Sequence, residues 1–152
     1  MPSHDYGSGD EPRLAPRVPV ALSFPAAPEV AAFEAQALID TASPWVILPG
    51  RALRLGSERW RVELETAAGR LTAELPLVGL ERLALGEPEP RLWPLFLVSV
   101  EALGLRSAGE AAVVPGRTEV VLGRSCLSAF KMSIHFERNH LTLERPPRRG
   151  AR

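Results

Sequence analysis

Apolar and polar residues alternate with a period of two along most of this chain. That spacing puts successive side chains on opposite faces of a strand and leaves little room for long helices. Val18 to Phe24 reads as a first strand. Phe33 to Ile39 starts half exposed, with Glu34 and Gln36 between apolar neighbours, and becomes apolar on both faces at Leu38 and Ile39. A strand entering a fully buried position has this form. Trp45 to Leu48 is a short apolar run that Pro49-Gly50 is expected to stop.

Trp60, Val62 and Leu64 then share one face, with Arg59, Arg61, Glu63 and Glu65 on the other. Leu71, Ala73, Leu75 and Leu77 resume the alternation after Thr66-Ala67-Ala68-Gly69, which predicts a long-armed hairpin. Leu80 to Leu85 and Leu92 to Val100 continue the strands, with Pro94 expected at an edge or bulge because it has no N–H to donate. Ala102 to Gly116 reads as a loop of small residues, and Thr118 to Leu122 as a buried strand. Arg124 to Phe130 suits one or two helical turns. Met132-Ile134-Phe136 and Leu141-Leu143 form a closing hairpin about Arg138-Asn139. The expected fold is mostly β, with one short helix near its end.

Composition narrows the function. The chain has 152 residues, enough for one domain with its own core. We expect that domain over 17–145, between disordered tails at 1–16 and 146–152 that are rich in polar residues and proline. Eighteen basic and eighteen acidic residues cancel, so no net field attracts nucleic acid or an anionic membrane. The N-terminus lacks the pattern of a signal peptide, and no apolar run approaches the ~20 residues of a membrane span. A cytoplasmic protein without a nucleic-acid or membrane partner is the expectation.

Candidate chemistry is sparse. Glycine loops for phosphates are absent, and no cofactor is implied. His135 and His140 flank a hairpin turn with no neighbouring Cys or Asp in sequence to complete a metal site. Cys126, the single cysteine, falls on the core face of the short helix and reads as a buried thiol. Only Asp5, Asp10 and Asp40 are aspartates, and Asp40 alone lies within the expected domain. Taken locally, Asp40-Thr41 is either a turn closing a strand or a carboxylate set there for chemistry.

A second stretch bears on that choice. Leu38-Ile39-Asp40-Thr41-Ala42-Ser43 is followed about 80 residues later by Val121-Leu122-Gly123-Arg124 and a short helix. The ordered pair, with a hairpin between, resembles the retropepsin-like aspartic proteases, the family of retroviral proteases and their single-domain bacterial relatives. The resemblance covers about residues 18–145. It implies a small closed β-barrel and a homodimer that hydrolyses polypeptide substrates. Asp40 would be catalytic, one from each subunit, since two carboxylates must share a proton. Thr41, Ala42, Ser43, Gly123 and Arg124 would support the site, and Ala67, Ala68 and Gly69 would form the tip of a flap over the substrate. Ala42 stands where the family usually has glycine. The alternative is a dimer or peptide-binding module that keeps the fold without the activity.

Overall fold

The computed structural model describes residues 2–6, 15–84 and 88–146. Its strands are β1 (Ser3–Asp5), β2 (Arg17–Ser23), β3 (Phe33–Ile39), β4 (Val46–Arg54), β5 (Arg59–Thr66), β6 (Gly69–Pro76), β7 (Gly79–Leu83) and β8 (Arg91–Ala102). They continue with β9 (Leu105–Val114), β10 (Val120–Leu122), β11 (Lys131–His135) and β12 (His140–Glu144). One short helix, α1 (Arg124–Leu127), follows β10.

Six strands close into a barrel. Around it run β10, β3, β2, β8, β9 and β4, and β10 completes the circle by pairing with both β3 and β4. Two contacts are parallel, Leu38 opposite Val121 and Ile47 opposite Ala112; the others are antiparallel. Closure removes exposed sheet edges wherever the ladders are complete. Inward-facing Val18, Leu22, Leu48, Phe96, Val98, Val100 and Leu122 fill the lumen.

The β5–β6 hairpin is formed as expected, with Thr66 opposite Gly69 across the turn. It is no appendage: Val62, Leu64, Ala73 and Leu75 belong to the same buried cluster as the lumen residues. β4 links hairpin and barrel by running on through Pro49-Gly50, where a stop was expected. Gly50 makes this continuity workable. Its φ is +151°, and a Cβ there would stand 2.1 Å from the Glu63 carbonyl oxygen. The pair punctuates a bend rather than an end.

The largest departure from expectation is β9. Its richness in Ala, Gly and Ser predicts a loop, yet all ten residues form a strand paired on both sides. The small side chains make room for α1. Ser107 donates its hydroxyl to the Cys126 carbonyl at 3.0 Å, and a Cβ on Gly109 would lie 3.0 Å from Ser125 Oγ. Tertiary packing overrode local propensity.

β1, β12 and β11 form a second, three-stranded sheet in that order. Ser3 to Asp5 therefore correct the expectation of a tail disordered from its start, because they pair in register with Thr142 to His140. Residues 7–14 and 147–152 of the expected tails lie outside the described residues. Of the stripe Met132-Ile134-Phe136, the first two pack on the core and Phe136 stays exposed. Pro94 sits opposite Leu80 of β7, just past the last β8–β9 rung at Leu95, where its missing N–H leaves no gap in that ladder. No described helix is long and apolar enough to cross a membrane.

Candidate functional site

Asp40 follows the last residue of β3, where β10 runs alongside. Its amide continues the ladder by donating to the Leu122 carbonyl at 3.0 Å. The chain then turns: Ala42 N–H donates to Asp40 Oδ1 at 3.0 Å, and Ser43 N–H to the Asp40 carbonyl at 3.2 Å. This is an Asx turn, so the local reading of Asp40 as a turn residue holds. It leaves room for the chemical reading too. One carboxylate oxygen is oriented by a backbone donor, and Oδ2 has no hydrogen-bond partner among the described residues.

Gly123 and Arg124 hold this loop from beneath. A Cβ on Gly123 would lie 2.2 Å from the Trp45 carbonyl oxygen and 2.5 Å from that of Ser43. The backbone of Gly123 is ordinary, φ −103°, so glycine is required for space rather than for conformation. The close approach lets Arg124 N–H donate to the Ser43 carbonyl and Ser125 N–H to that of Pro44, at 2.8 and 2.9 Å. Arg124 Nη1 adds bonds to the carbonyls of Thr41 and Ala42 at 2.8 and 3.1 Å. Arg124 thus anchors to main-chain oxygens of the Asp40 loop itself, acceptors that the sequence does not display.

The three residues after Asp40 differ in setting. Thr41 and Ala42 are exposed. Ala42 is absent from the residues with positive φ, so its methyl group sits in a conformation open to any L-residue. Ser43 is buried and donates its hydroxyl to the Trp45 carbonyl at 2.9 Å, which makes it part of the loop's frame.

Beside the loop, the outer wall of the barrel is apolar. Side chains alternate along a strand, so Ile47 faces outward between inward Val46 and Leu48, and Val121 does so between Val120 and Leu122. With Trp93, Leu95, Ala112 and Val114 they form a second buried cluster, onto which Leu38, Trp45 and Leu83 pack. The β7–β8 hairpin supplies Leu83 and Trp93, tied by a hydrogen bond from Trp93 Nε1 to the Leu83 carbonyl at 3.2 Å. Arg91 stacks over the Trp93 ring at 4.0 Å. The sequence alone does not mark Leu83, Arg91 or Trp93 as neighbours of Asp40's strand. The signal for them was the doubly apolar strand ends, since a strand buried on only one face needs no apolar residue on the other.

Ala67, Ala68 and Gly69 are elsewhere. They line a groove with Phe33 and Glu34 at the start of β3, roughly 20 Å along the strand from Asp40. The arms below them are set in the main core, so swinging this hairpin like a lid would expose Val62, Leu64 and Leu75. Here the structure brings Asp40 together with Thr41, Ala42, Ser43, Gly123 and Arg124, and leaves the expected flap tip at the far end of β3.

The remaining candidates settle simply. Burial pushes the Cys126 thiol up from its ordinary value, which keeps it protonated and unreactive. His135 and His140 face each other across β11 and β12, and Asp5 reaches His140 Nδ1 at 2.5 Å from β1. The sequence alone put no aspartate near them; β1 supplies one. No group of three or more potential ligands able to hold a metal occurs among the described residues.

No family model and no curated protein matches the chain. Among solved structures, it is similar to a Legionella pneumophila protein of unknown function (DUF785), with 14% identity and a TM-score of 0.51. The alignment covers 71% of this chain and 81% of that one. At this identity the likeness concerns the fold alone.

Proposed function

We propose that this chain is an aspartic endopeptidase of the retropepsin-like kind, active as a homodimer with Asp40 contributed by each subunit. One observation carries the reading. Asp40 sits on a loop held by Gly123 and Arg124, with one carboxylate oxygen engaged by Ala42 N–H and the other unpartnered. A lone carboxylate cannot serve as both acid and base, so the chemistry requires a second Asp40 across a two-fold axis. The ionised member takes a proton from water while the protonated one donates to the scissile carbonyl oxygen. The resulting hydroxide attacks carbon, and collapse of the adduct with proton transfer to nitrogen breaks the C–N bond.

Thr41 and Ala42 are exposed, which suits contact with a partner and a substrate. Half-buried Leu38 and Trp45, at the margin of the outer cluster, suit a substrate's apolar side chains. In this reading the β7–β8 hairpin, packed through Trp93 and Leu83 on the outer cluster, flanks the site beside the Asp40 loop. Localisation in the cytoplasm belongs to the same proposal.

Asp40→Asn tests it. Asparagine keeps an Oδ1 acceptor for Ala42 N–H, so folding and dimerisation should survive while cleavage of a peptide library, best at mildly acidic pH, falls at least ~1,000-fold. Undiminished cleavage, or a monomer by sedimentation at assay concentrations, would refute the proposal. The Asx turn favours one other reading, a peptide-binding module in which Asp40 only shapes the loop. Peptide binding without turnover by the wild-type dimer would select that reading.

A further inference from the structure

The other end of β3 holds an open sheet edge. Ile39 N–H donates to the Pro16 carbonyl, which fixes the phase of the β2–β3 ladder: odd residues of β3 point their backbone groups at β2, even residues away. The Asp40 amide, donating to Leu122, obeys the same phase on the β10 side. β10, however, begins only opposite Ala37. Upstream of that rung the amide and carbonyl of Glu34 and the amide of Gln36 point outward with no partner among the described residues. Such an edge is a template for another strand.

The edge opens onto a groove of about 640 Å³, within the range of ligand sites. Thr66 and Ala67 of the β5–β6 turn and Arg117 to Val120 form its other walls. Phe33 and Ala35, on the inner face of β3, pack against the core. Glu34, on the outer face, is exposed and has no ion-pair partner among the described residues.

We propose that this groove binds an extended peptide segment as an added strand on β3. Its apolar residues would lie beside Phe33 and Ala35, and a basic residue would lie opposite Glu34. Main-chain pairing gives the affinity and alternate side chains give the selectivity. The hairpin turn then walls the groove, a use for Ala67 that does not require the arms to move. The inference stands whether or not Asp40 is catalytic.

The test uses the full chain and the peptide acetyl-Lys-Val-Lys-Val-Lys-amide, followed by amide NMR. Added peptide should shift Glu34 and Gln36 and slow exchange of their amides. A strand pairs through one edge only. N-methylation of alternate peptide residues should therefore weaken binding at least ~10-fold in one phase and under ~3-fold in the other. Gln36→Pro removes an outward donor without touching the β2 ladder and should also abolish binding, whereas Glu34→Lys should weaken it ~5-fold. Equal effects of both N-methyl phases, shifts confined to the Asp40 loop and Trp93, or no shift at millimolar peptide would each overturn the proposal. Self-association through this edge in the absence of peptide, seen by sedimentation and removed by Gln36→Pro, would likewise replace the peptide with a second copy.

Discussion

The two ends of β3 have opposite fates. At Asp40 the strand is flanked by β2 and β10, its exit loop is held through Gly123, and Arg124 ties two of the loop's carbonyls. At Glu34 the same strand has β2 on one side and open groove on the other. The difference comes from where β10 starts, not from β3's own sequence. An edge becomes a fixed site when a distant segment completes it, and stays a docking surface when none does.

Gly123→Ala should have the largest effect, because it drives a methyl into the Trp45 and Ser43 carbonyls at the closed end. Urea unfolding should show a loss of about 3 kcal/mol, in the range of severe overpacking. A melt matching wild type would mean that the loop relaxes freely and that the contrast between the ends is overdrawn. Arg124→Ala is milder. It removes two bonds from an exposed guanidinium and should cost about 1 kcal/mol, with amide shifts confined to Thr41 to Ser43.

Cys126 offers a probe of the closed end that requires no mutation. Its thiol is buried beneath the barrel-facing side of α1, and burial raises its pKa above the ordinary thiol value. A raised value means that the associated stability is fully present below the unfolded thiol's pKa and is lost as pH rises through the folded one. Thiol labelling at pH 8 should therefore track global unfolding, and Arg124→Ala should quicken it. The smallest effect belongs to the open end. Glu34→Ala touches no ion pair or ladder bond, so its melt should stay within about 0.5 kcal/mol of wild type.

Much of the fold was legible where alternation was undisturbed. β3 and the β5–β6 hairpin follow the period-two pattern closely, and the Asp40 and Gly123 segments were recognisable as an ordered pair. β9 was hidden because its inward positions, Ser107, Gly109 and Ala111, are small for the sake of α1 rather than for a loop. β1 was hidden because three polar residues pair only once β12 is beside them. Ala67, Ala68 and Gly69 stand beside the start of β3, away from Asp40, since a hairpin's position in the chain does not say which end of a barrel it reaches. The outer cluster around Trp93 needs the barrel's curvature, which no local pattern carries.

The closing rung of the barrel has a kinetic consequence. β10 meets β3 in parallel across more than 80 residues, the kind of distant pairing whose loop-closure cost slows folding. Every bond that holds the Asp40 loop from Gly123 and Arg124 depends on that rung. A nascent chain in which β10 and Gly123-Arg124 have not yet emerged therefore has no assembled Asp40 loop. If the chain is a peptidase, the order of assembly itself keeps it inert until that distant segment has been made and paired.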